Sequence, residues 1–479
     1  MNITLTQNDF AAISPLLILL GGALLILLIE SFAEEVSKKI SSYVTLATLI
    51  IAIYAAYFAP ISESALLTPW LRFDSLGRLF AIFFLIIGIG ATLLSSSFFQ
   101  RFHASHGEYL FLLLSSLFGL ILIGYSADFL TLFLGIETLS ISLYVMCGYM
   151  KKWKFANEAA IKYFLMGAIA ASFLLYGIAL IYGAIGTTRF DALLSGYHNL
   201  NTASDQVLFL SGIALVTLAL CFEAAIVPFH LWAPDVYDGA PTPVTAFMAV
   251  GTKVGAFAAF TRVFLVSLPN FNNHWNEGIA LLAYPTLIYA NYLALRQVQL
   301  RRFFAYSGIS HAGFMLLPLA AGSPESINAL LFYLVIYGLA TFGSFAVLAF
   351  LDHRSEGVML QDLHGLFSRA PFLAGILTLC LLTLAGIPPT AGFFAKFYIF
   401  KVAFEAHYYG LVFVGLLMAI LSAYYYLRIV AVMLSEKPAD ARAPILTWPA
   451  AIVGILAFAA IFVFSLYPAP LLNLLGVVS

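Results

Sequence analysis

Long apolar stretches recur along the whole chain and are separated by short polar segments. About 20 consecutive apolar residues let a helix span a bilayer, and we count fourteen such stretches, which begin near residues 11, 42, 78, 108, 127, 157, 206, 243, 276, 302, 325, 371, 408 and 447. No hydrophilic stretch is long enough to form a separate soluble domain. The pattern predicts an all-α polytopic membrane protein with about 14 transmembrane helices.

Two of the predicted spans are interrupted at matching places. The seventh contains "AIVPFHLWAPD", with Pro228, and the twelfth contains "LAGIPPTAGFFAKFYIF", with Pro388 and Pro389. Proline cannot continue a regular helix, so both spans should break. The breaks lie five spans apart, and an odd number of spans inverts a second copy, which favours two inverted five-helix repeats, spans 4–8 and 9–13. Proline kinks that match by chance are the alternative.

The repeats divide the chain into four segments. They are an N-terminal three-helix segment (1–107), the first inverted repeat (108–268), the second inverted repeat (276–436) and a C-terminal helix (447–479). Hydrophobic residues make up 62% of the chain and charged residues 9%, against about one quarter charged in soluble domains. The first fourteen residues carry no Lys or Arg, so a cleaved signal peptide is not expected and the first helix should be retained.

Basic residues are distributed unevenly between the predicted loops. Four fall on one side of the membrane: Arg72, Arg78, Arg189 and Lys401. Thirteen fall on the other side: Lys38, Lys39, Arg101, Lys151, Lys152, Lys154, Arg296, Arg301, Arg302, Arg354, Arg369, Lys437 and Arg442. Under the positive-inside rule the basic side is cytoplasmic. This predicts a bacterial cytoplasmic (inner) membrane protein with both termini on the periplasmic side.

Several ionisable residues lie inside the predicted spans. A charge at the centre of a membrane helix costs at least about 2.5–3.5 kcal/mol, so such residues are functional candidates. The side chains of Lys162 and Arg428 are long enough to snorkel to the interface. Arg428 and His311 are expected to lie nearer helix ends. The candidates for a polar line along the membrane are Glu137, Lys162, Glu223, His230, Lys253 and Lys396.

Such groups can pass protons along a row, because burial and a partner can tune Glu and Lys and because His titrates near neutrality. The sequence has no Gly-rich phosphate loop and no cluster with metal-ligand spacing. Cys147, Cys221 and Cys380 are far apart and are expected to be small buried hydrophobes. A net charge of -1 argues against nucleic acid as a partner. Bond-making catalysis within this chain is not expected, and a membrane scaffold is disfavoured by the cost of the buried charges.

Five segments closely resemble the antiporter-like membrane subunits of respiratory complex I. They are "LFLGIETLSISLY", "NEAAIKYFLMGAIAASFLLYGIALIYG", "VPFHLWAPDVYDGAPTPVTAF", "RRFFAYSGISHAGFML" and "LTLAGIPPTAGFFAKFYIF". The third is the most specific. The resemblance covers most of residues 130–430, whereas the first hundred residues match mainly in hydropathy and spacing.

The resemblance implies a proton-translocating membrane-arm subunit of NADH:quinone oxidoreductase, which couples quinone reduction in other subunits to proton pumping. It implies that Glu137 modulates a neighbouring lysine, that His230 relays protons, and that Lys162, Lys253 and Lys396 are the lysines of spans six, eight and twelve. No redox site and no cofactor is expected in this chain; FMN, iron–sulfur clusters and quinone belong to partner subunits. The expected partners are an adjacent antiporter-like subunit, small membrane subunits and lipid. A stand-alone or Mrp-type cation/proton antiporter subunit is the alternative, because the residues themselves fit both.

One position departs from the family pattern. Five residues before Pro228 the family usually has lysine, and here the residue is Glu223. The usual pair between a glutamate of span five and that lysine cannot form. If Glu137 and Glu223 face each other, they should share a proton; alternatively, Lys162 neutralises one of them. We expect pumping to survive with an altered charge sequence, and the competing interpretation is a passive spacer.

Overall fold

The computed structural model describes residues 6–32, 34–61, 66–102, 104, 106–269, 271–352, 357–436 and 444–476, and the regular structure of these ranges is helical apart from three isolated β-bridges. The first half contains α1 Gln7–Phe32, α2 Glu34–Phe58, α3 Ser75–Arg101, α4 Gly107–Tyr125, α5 Phe129–Cys147, α6 Lys154–Ile185, α7 Leu193–His198, α8 Ala203–Glu223, α9 Trp232–Gly239 and α10 Thr242–Phe260, which continues as a π-helix over Thr261–Val266. The second half contains α11 Asn272–Ala294, α12 Leu300–Ala321, α13 Ser326–Leu351, α14 Leu366–Arg369, α15 Pro371–Ala385, α16 Ala391–Glu405, α17 Tyr409–Leu434, α18 Trp448–Leu466 and α19 Ala469–Gly476.

The predicted all-α membrane fold is confirmed. In the described ranges, twelve helices are long and apolar enough to cross a bilayer. Two further segments stand where the remaining predicted spans should be, namely α11 and the pair α15 and α16, which is interrupted between Ala385 and Ala391. The count of fourteen, the inverted relation of the two repeats and the four segment boundaries stay predictions.

The core lies around three central helices. In the most apolar 18-residue stretches of α10, α12 and α13, 89%, 94% and 89% of the residues are buried inside the protein, against 28% in α18. These three helices therefore face other helices on all sides, whereas the outer helices leave apolar surface for lipid or partner chains. Cys147, Cys221 and Cys380 are free thiols and are buried, as the sequence predicts.

Some sequence predictions concern residues that the structure does not describe. Arg354, Lys437 and Arg442 from the basic loops lie outside the described residues, and so do the side chains of Lys38 and Lys39. Residues 1–5 and 477–479 also lie outside them, so the predicted side of the termini stays a prediction.

A buried arginine joins three helices at one end of the first half. Arg262 donates to both carboxylate oxygens of Asp74, at 2.5 and 2.7 Å, and to the Gly124 carbonyl at 2.7 and 2.9 Å. Asp74 caps α3 and accepts from the Gly77 N–H. Burial acts to raise the pKa of Asp74, but the hydrogen bonds and charge of Arg262, with Gly77 and Arg72, outweigh it and lower that pKa. This pair fixes the ends of α3, α4 and α10 against one another.

Candidate functional site

The first helix break follows Glu223, the last residue of α8. Ala225 adopts φ +57 and turns the chain away from the helix axis before Pro228. A helix end leaves carbonyl groups without intrahelical donors. Here the Phe222 carbonyl accepts from the Ala225 N–H at 3.0 Å and from the Trp232 Nε1–H at 2.9 Å, so an aromatic side chain from α9 adds a donor at the broken end of α8.

Glu223 lies at this broken end and is only 6% exposed. The Ser140 hydroxyl of α5 donates to Glu223 Oε1 at 3.1 Å. The other oxygen, Oε2, is buried and has no hydrogen-bond partner among the described residues. Glu137 is half-buried on α5, one turn before Ser140. Glu223 therefore packs against the part of α5 that carries Glu137, and the sharing of a proton between the two carboxyl groups stays a prediction.

Lys162 does not lie with these carboxyl groups. Its side chain is 43% exposed, and its Nζ contacts Glu158 Oε1 at 2.8 Å and Asp235 Oδ2 at 2.7 Å. No ion pair within 4.0 Å joins it to Glu137 or Glu223 in the part of the chain that the structure describes. The expectation that Lys162 neutralises one of the two glutamates is therefore wrong, because Asp235 and Glu158 engage its ammonium group nearer the start of α6.

His230 is buried in the segment between α8 and α9. Its ring packs edge-on against the Tyr289 ring of α11, with 4.9 Å between the ring centroids. The predicted break therefore carries the histidine away from α8 and against a helix of the second half.

Lys253 lies at the centre of the molecule, on α10, and is 1% exposed. Its Nζ donates to Tyr237 Oη at 3.2 Å and lies 5.6 Å from the centroid of that ring. Its ammonium group is therefore enclosed within the protein.

The second helix break lies between α15 and α16. Gly386 adopts φ +74, Pro388 and Pro389 follow, and α16 resumes at Ala391. Lys396, which is 5% exposed, donates from Nζ to the Ala385 carbonyl at 2.8 Å and to Ser422 Oγ at 3.4 Å. The ammonium group thus satisfies a carbonyl that the end of α15 leaves without an intrahelical donor.

His311 is a further buried polar residue and lines a cavity together with Lys396. It lies in the middle of α12, not nearer a helix end as expected, because α12 runs from Leu300 to Ala321. Its Nδ1 is 2.7 Å from Tyr333 Oη and its Nε2 is 3.1 Å from Tyr426 Oη. The cavity is lined by His311, Tyr333, Tyr337, Thr383, Gly392 and Lys396.

A glycine of α12 makes room where the two halves meet. A Cβ at Gly308 would lie 3.1 Å from both Lys253 Nζ and Tyr337 Oη. The Tyr337 ring in turn lies 5.0 Å from the His311 ring. A row of buried polar side chains therefore runs from Lys253 past Tyr337 and His311 to Lys396.

The same row extends toward Glu223 through aromatic side chains. The Tyr163 ring of α6 stacks on the Trp232 ring with 4.5 Å between centroids, and the Trp232 ring lies 6.2 Å from the ring of Tyr237, whose hydroxyl contacts Lys253. The sequence predictions missed these tyrosines and Tyr333, Tyr337 and Tyr426, because tyrosine is common at membrane interfaces and carries no distinct signal within a span.

Two charged residues gain a role that the sequence analysis did not assign. Asp235 stands inside the quoted "HLWAPD" segment, and Arg302 was counted only as a loop charge. In the structure an Arg302 Nη2–H donates to Asp235 Oδ1. Arg428, by contrast, is exposed and donates to the Leu295 carbonyl at 2.9 Å, which agrees with its placement near a helix end.

Metal-ligating residues do not converge in the described ranges. No group of three or more His, Cys, Asp or Glu side chains there could hold a metal ion. The buried groups of this site are single carboxyl, ammonium, imidazole and phenol groups in a row, an arrangement suited to passing protons from one group to the next.

Comparison with known proteins identifies the family. Residues 126–422 match the family model described as NADH:quinone oxidoreductase/Mrp antiporter, TM. The chain is 63% identical over 477 residues to NADH-quinone oxidoreductase subunit N of Protochlamydia amoebophila (strain UWE25), covering 99% of both chains. This identity extends through the first hundred residues, where the motifs gave little signal.

Solved structures show the same fold. One chain of respiratory complex I from Thermus thermophilus with bound aureothin has a TM-score of 0.81 and 31% identity, covering 96% of this chain and 98% of that chain. A chain of the Mrp complex from Dietzia sp. DQ12-45-1b has a TM-score of 0.84 at 20% identity, covering 98% and 96%, which shows the fold alone. The chain therefore belongs to the antiporter-like membrane subunits of respiratory complex I and, among them, to the family of NADH-quinone oxidoreductase subunit N.

Proposed function

We propose that this chain translocates protons across the bacterial cytoplasmic membrane as a membrane-arm subunit of NADH:quinone oxidoreductase. One observation carries the proposal: buried Glu223, Lys253 and Lys396 stand along one line of polar side chains that passes both helix breaks. Each of these groups can hold a proton, and burial in a low-dielectric interior makes the charge on each sensitive to its neighbours.

The coupling works by charge. Ionisation of one group changes the proton affinity of the next, because like charges at short range disfavour each other. His311, between Lys253 and Lys396, accepts or donates through its two ring nitrogens to Tyr333 and Tyr426. A change of charge at the Glu137 and Glu223 end therefore reaches Lys396 stepwise, without any large movement of the central helices.

Glu223 keeps the first step in a different form. In place of the family lysine it offers a carboxyl group that Ser140 orients through one oxygen. Glu137 and Glu223 share one proton. When a cation or a second proton arrives nearby, the shared proton is displaced to the next group in the row. The charge sequence is altered while the transported proton is the same.

Electron transfer belongs to other subunits in this proposal. The chain is a non-redox subunit of the translocase, and FMN, iron–sulfur clusters and quinone are held by partner chains. An adjacent antiporter-like subunit and small membrane subunits cover parts of its apolar outer surface. Both termini lie on the periplasmic side, because the basic loops then face the cytoplasm.

The test uses the assembled complex in sealed vesicles. Protons translocated per electron pair are measured for the unchanged chain and for Glu223→Gln, Glu223→Ala and Glu223→Lys. We expect a lower ratio for Gln and Ala, because neither side chain can carry a proton, and a smaller loss for Lys. An unchanged ratio in all three variants would mean that Glu223 is structural. If Lys253→Met and Lys396→Met also leave the ratio unchanged, the chain is a passive spacer.

A stand-alone or Mrp-type cation/proton antiporter subunit is the second candidate, favoured by the family model over residues 126–422, whose description names both NADH:quinone oxidoreductase and Mrp antiporter. Purification through a C-terminal tag in mild detergent separates the two. Flavin, iron–sulfur signals and NADH:quinone activity in the same particle are expected for the first candidate. A colourless assembly of membrane subunits with sodium/proton exchange in vesicles would favour the second.

A further inference from the structure

The short helix α9 lies between the two halves of the molecule and carries side chains toward both sides. Tyr237 points inward, where its hydroxyl accepts from Lys253 Nζ at 3.2 Å. Asp235, two residues earlier, lies on the other side of α9 because residues two apart on a helix point in roughly opposite directions. Its side chain is 34% exposed.

Asp235 bridges two cations from different halves of the chain. Its Oδ2 accepts from Lys162 of α6 at 2.7 Å, and its Oδ1 accepts from Arg302 of α12. Glu158 and Asp238 complete the group, at 2.8 Å from Lys162 and 3.8 Å from Arg302 respectively. A single exposed ion pair contributes little, but one carboxylate shared by two cations on different helices forms a network with a defined geometry.

We infer that Asp235 is a positioning residue: by binding Lys162 and Arg302 at once, it holds α9 where Tyr237 Oη contacts Lys253 Nζ. The inference rests on the proposed function of Lys253 in proton transfer. It also gives Lys162 a role different from the one that the family resemblance implies, since here Lys162 acts as a fixed cation that anchors Asp235.

The eight-residue length of α9 makes its position depend on contacts with neighbouring helices. Segments without regular helix flank it on the Glu223 side, and a single turn or two of helix has little stability of its own. Besides the ion pairs, α9 is held at its start by Trp232, whose ring stacks on Tyr163 with 4.5 Å between centroids, and at Tyr237 by the Thr245 hydroxyl, which donates to the Tyr237 carbonyl at 3.1 Å. The stack and Thr245 attach α9 to α6 and α10, whereas, among the described residues, Asp235 alone attaches it to both α6 and α12 by ion pairs. A displacement of about 1 Å at such a contact can cost up to about 100-fold in rate.

The test compares Asp235→Asn and Tyr237→Phe, singly and together, in the assembled complex. The rate of proton translocation is measured from pH 6 to 9, that is, from about one unit below to about two units above neutrality. We expect each single variant to lower the rate by about 10-fold and to move the pH of half-maximal rate. The double variant should be no slower than Tyr237→Phe alone, because Asp235 acts through Tyr237.

Two further variants separate positioning from a general loss of charge. Asp235→Glu keeps the carboxylate and should recover part of the rate. Asp191→Asn removes a carboxylate from the exposed Arg189–Asp191 pair, which has a 2.5 Å contact remote from α9, and should leave the pH profile unchanged. Where Asp235→Asn does not assemble, Lys162→Gln and Asp235→Glu carry the same test, and each should shift the pH profile.

The inference is overturned if Asp235→Asn has the same profile as Asp191→Asn, or if the losses of Asp235→Asn and Tyr237→Phe multiply in the double variant. Lys253→Met tells which proposal has failed. A loss of translocation in Lys253→Met with an unchanged Asp235→Asn profile refutes only the positioning role, whereas no loss in either variant refutes the proposed function itself.

Discussion

The two helix breaks expose carbonyl groups in the same way but satisfy them with different chemistry. At the first break the uncharged Trp232 Nε1–H donates to the Phe222 carbonyl at 2.9 Å. At the second break the Lys396 ammonium donates to the Ala385 carbonyl at 2.8 Å. Both breaks thus reuse the end of a helix as an acceptor, and only the second uses a titratable group as the donor.

The difference matters because the carboxyl end of a helix carries partial negative charge. A cation is stabilised there and an anion is destabilised. Lys396 sits beside the end of α15 with the favourable sign, whereas Glu223 is itself the last residue of α8. The end of α15 therefore stabilises a charged Lys396 by itself. The end of α8 destabilises an ionised Glu223, which needs the Ser140 hydrogen bond, a bound proton or a neighbouring cation to offset that cost.

Removing the ammonium group at the second break should have the largest effect. Lys396→Met keeps the length of the side chain but leaves the Ala385 carbonyl without its donor and ends the proton row. We expect the translocation attributable to this chain to fall by about 10²-fold or more, measured as protons per electron pair in vesicles. Lys401→Met on the same helix removes an exposed lysine that pairs with Glu325, and it should retain the ratio; an equal loss in both variants would contradict the prediction.

A substitution at Gly308 of α12, where the two halves of the molecule meet, should have the next largest effect on translocation. In Gly308→Ala the new methyl group would stand 3.1 Å from Lys253 Nζ and from Tyr337 Oη, and the lysine would have to shift. We expect translocation to fall by about 10-fold, in line with a displacement below 1 Å, while electron transfer measured with an uncoupler is unchanged.

Gly278→Ala is the matched control for that variant. Gly278 lies on α11, and a Cβ there meets no atom within 4 Å. A fall of the same size in both variants would mean that the loss reflects helix glycine substitution in general and would remove the argument for contact at Gly308.

The sequence predicts the breaks themselves better than what happens at them. The apolar runs place the helices, and Pro228, Pro388 and Pro389 mark where two of them stop, because these signals are local. Which side chain reaches which freed carbonyl depends on neighbours far apart in sequence. Lys162 illustrates this: hydropathy places it inside a span, but its partner Asp235 is 73 residues away, and no periodicity in the sequence indicates that pair.

The depth of the lysines was predictable, whereas their connection was not. Lys253 and Lys396 stand well inside apolar runs, and both are buried in the structure. Between them, His311 contacts Tyr333 and Tyr426, which come from α13 and α17. Pairing of helices that are not adjacent in the chain decides such contacts, and a single sequence does not reveal it.

The Trp232 hydrogen bond at the first break should matter more for the stability of the fold than for proton translocation. Trp232→Phe keeps an aromatic ring but removes one of the donors to the buried Phe222 carbonyl, which still accepts from the Ala225 N–H at 3.0 Å. Loss of one such hydrogen bond costs about 0.5–1.5 kcal/mol. The expected result is a lower thermal stability of the complex with a smaller change in protons per electron pair. Trp448→Phe, at a position that is 83% exposed, should leave stability unchanged, and equal stability of both variants would show that the Trp232 hydrogen bond does not stabilise the fold.

The smallest effect concerns the residue with positive φ at each break. Ala225 adopts φ +57 at the first break, where Gly386 adopts φ +74 at the second. An L-residue in this region costs roughly 1–2 kcal/mol relative to glycine, so Ala225→Gly should stabilise the complex by about 1 kcal/mol, less the extra entropy of glycine in the unfolded chain. The reverse change, Gly386→Ala, adds that cost and also brings a methyl group to 2.6 Å from Lys396 Cδ. Thermal denaturation of both variants checks the pair: opposite signs support the comparison, whereas destabilisation by Ala225→Gly would mean that the Ala225 methyl contributes more by packing than the backbone conformation costs.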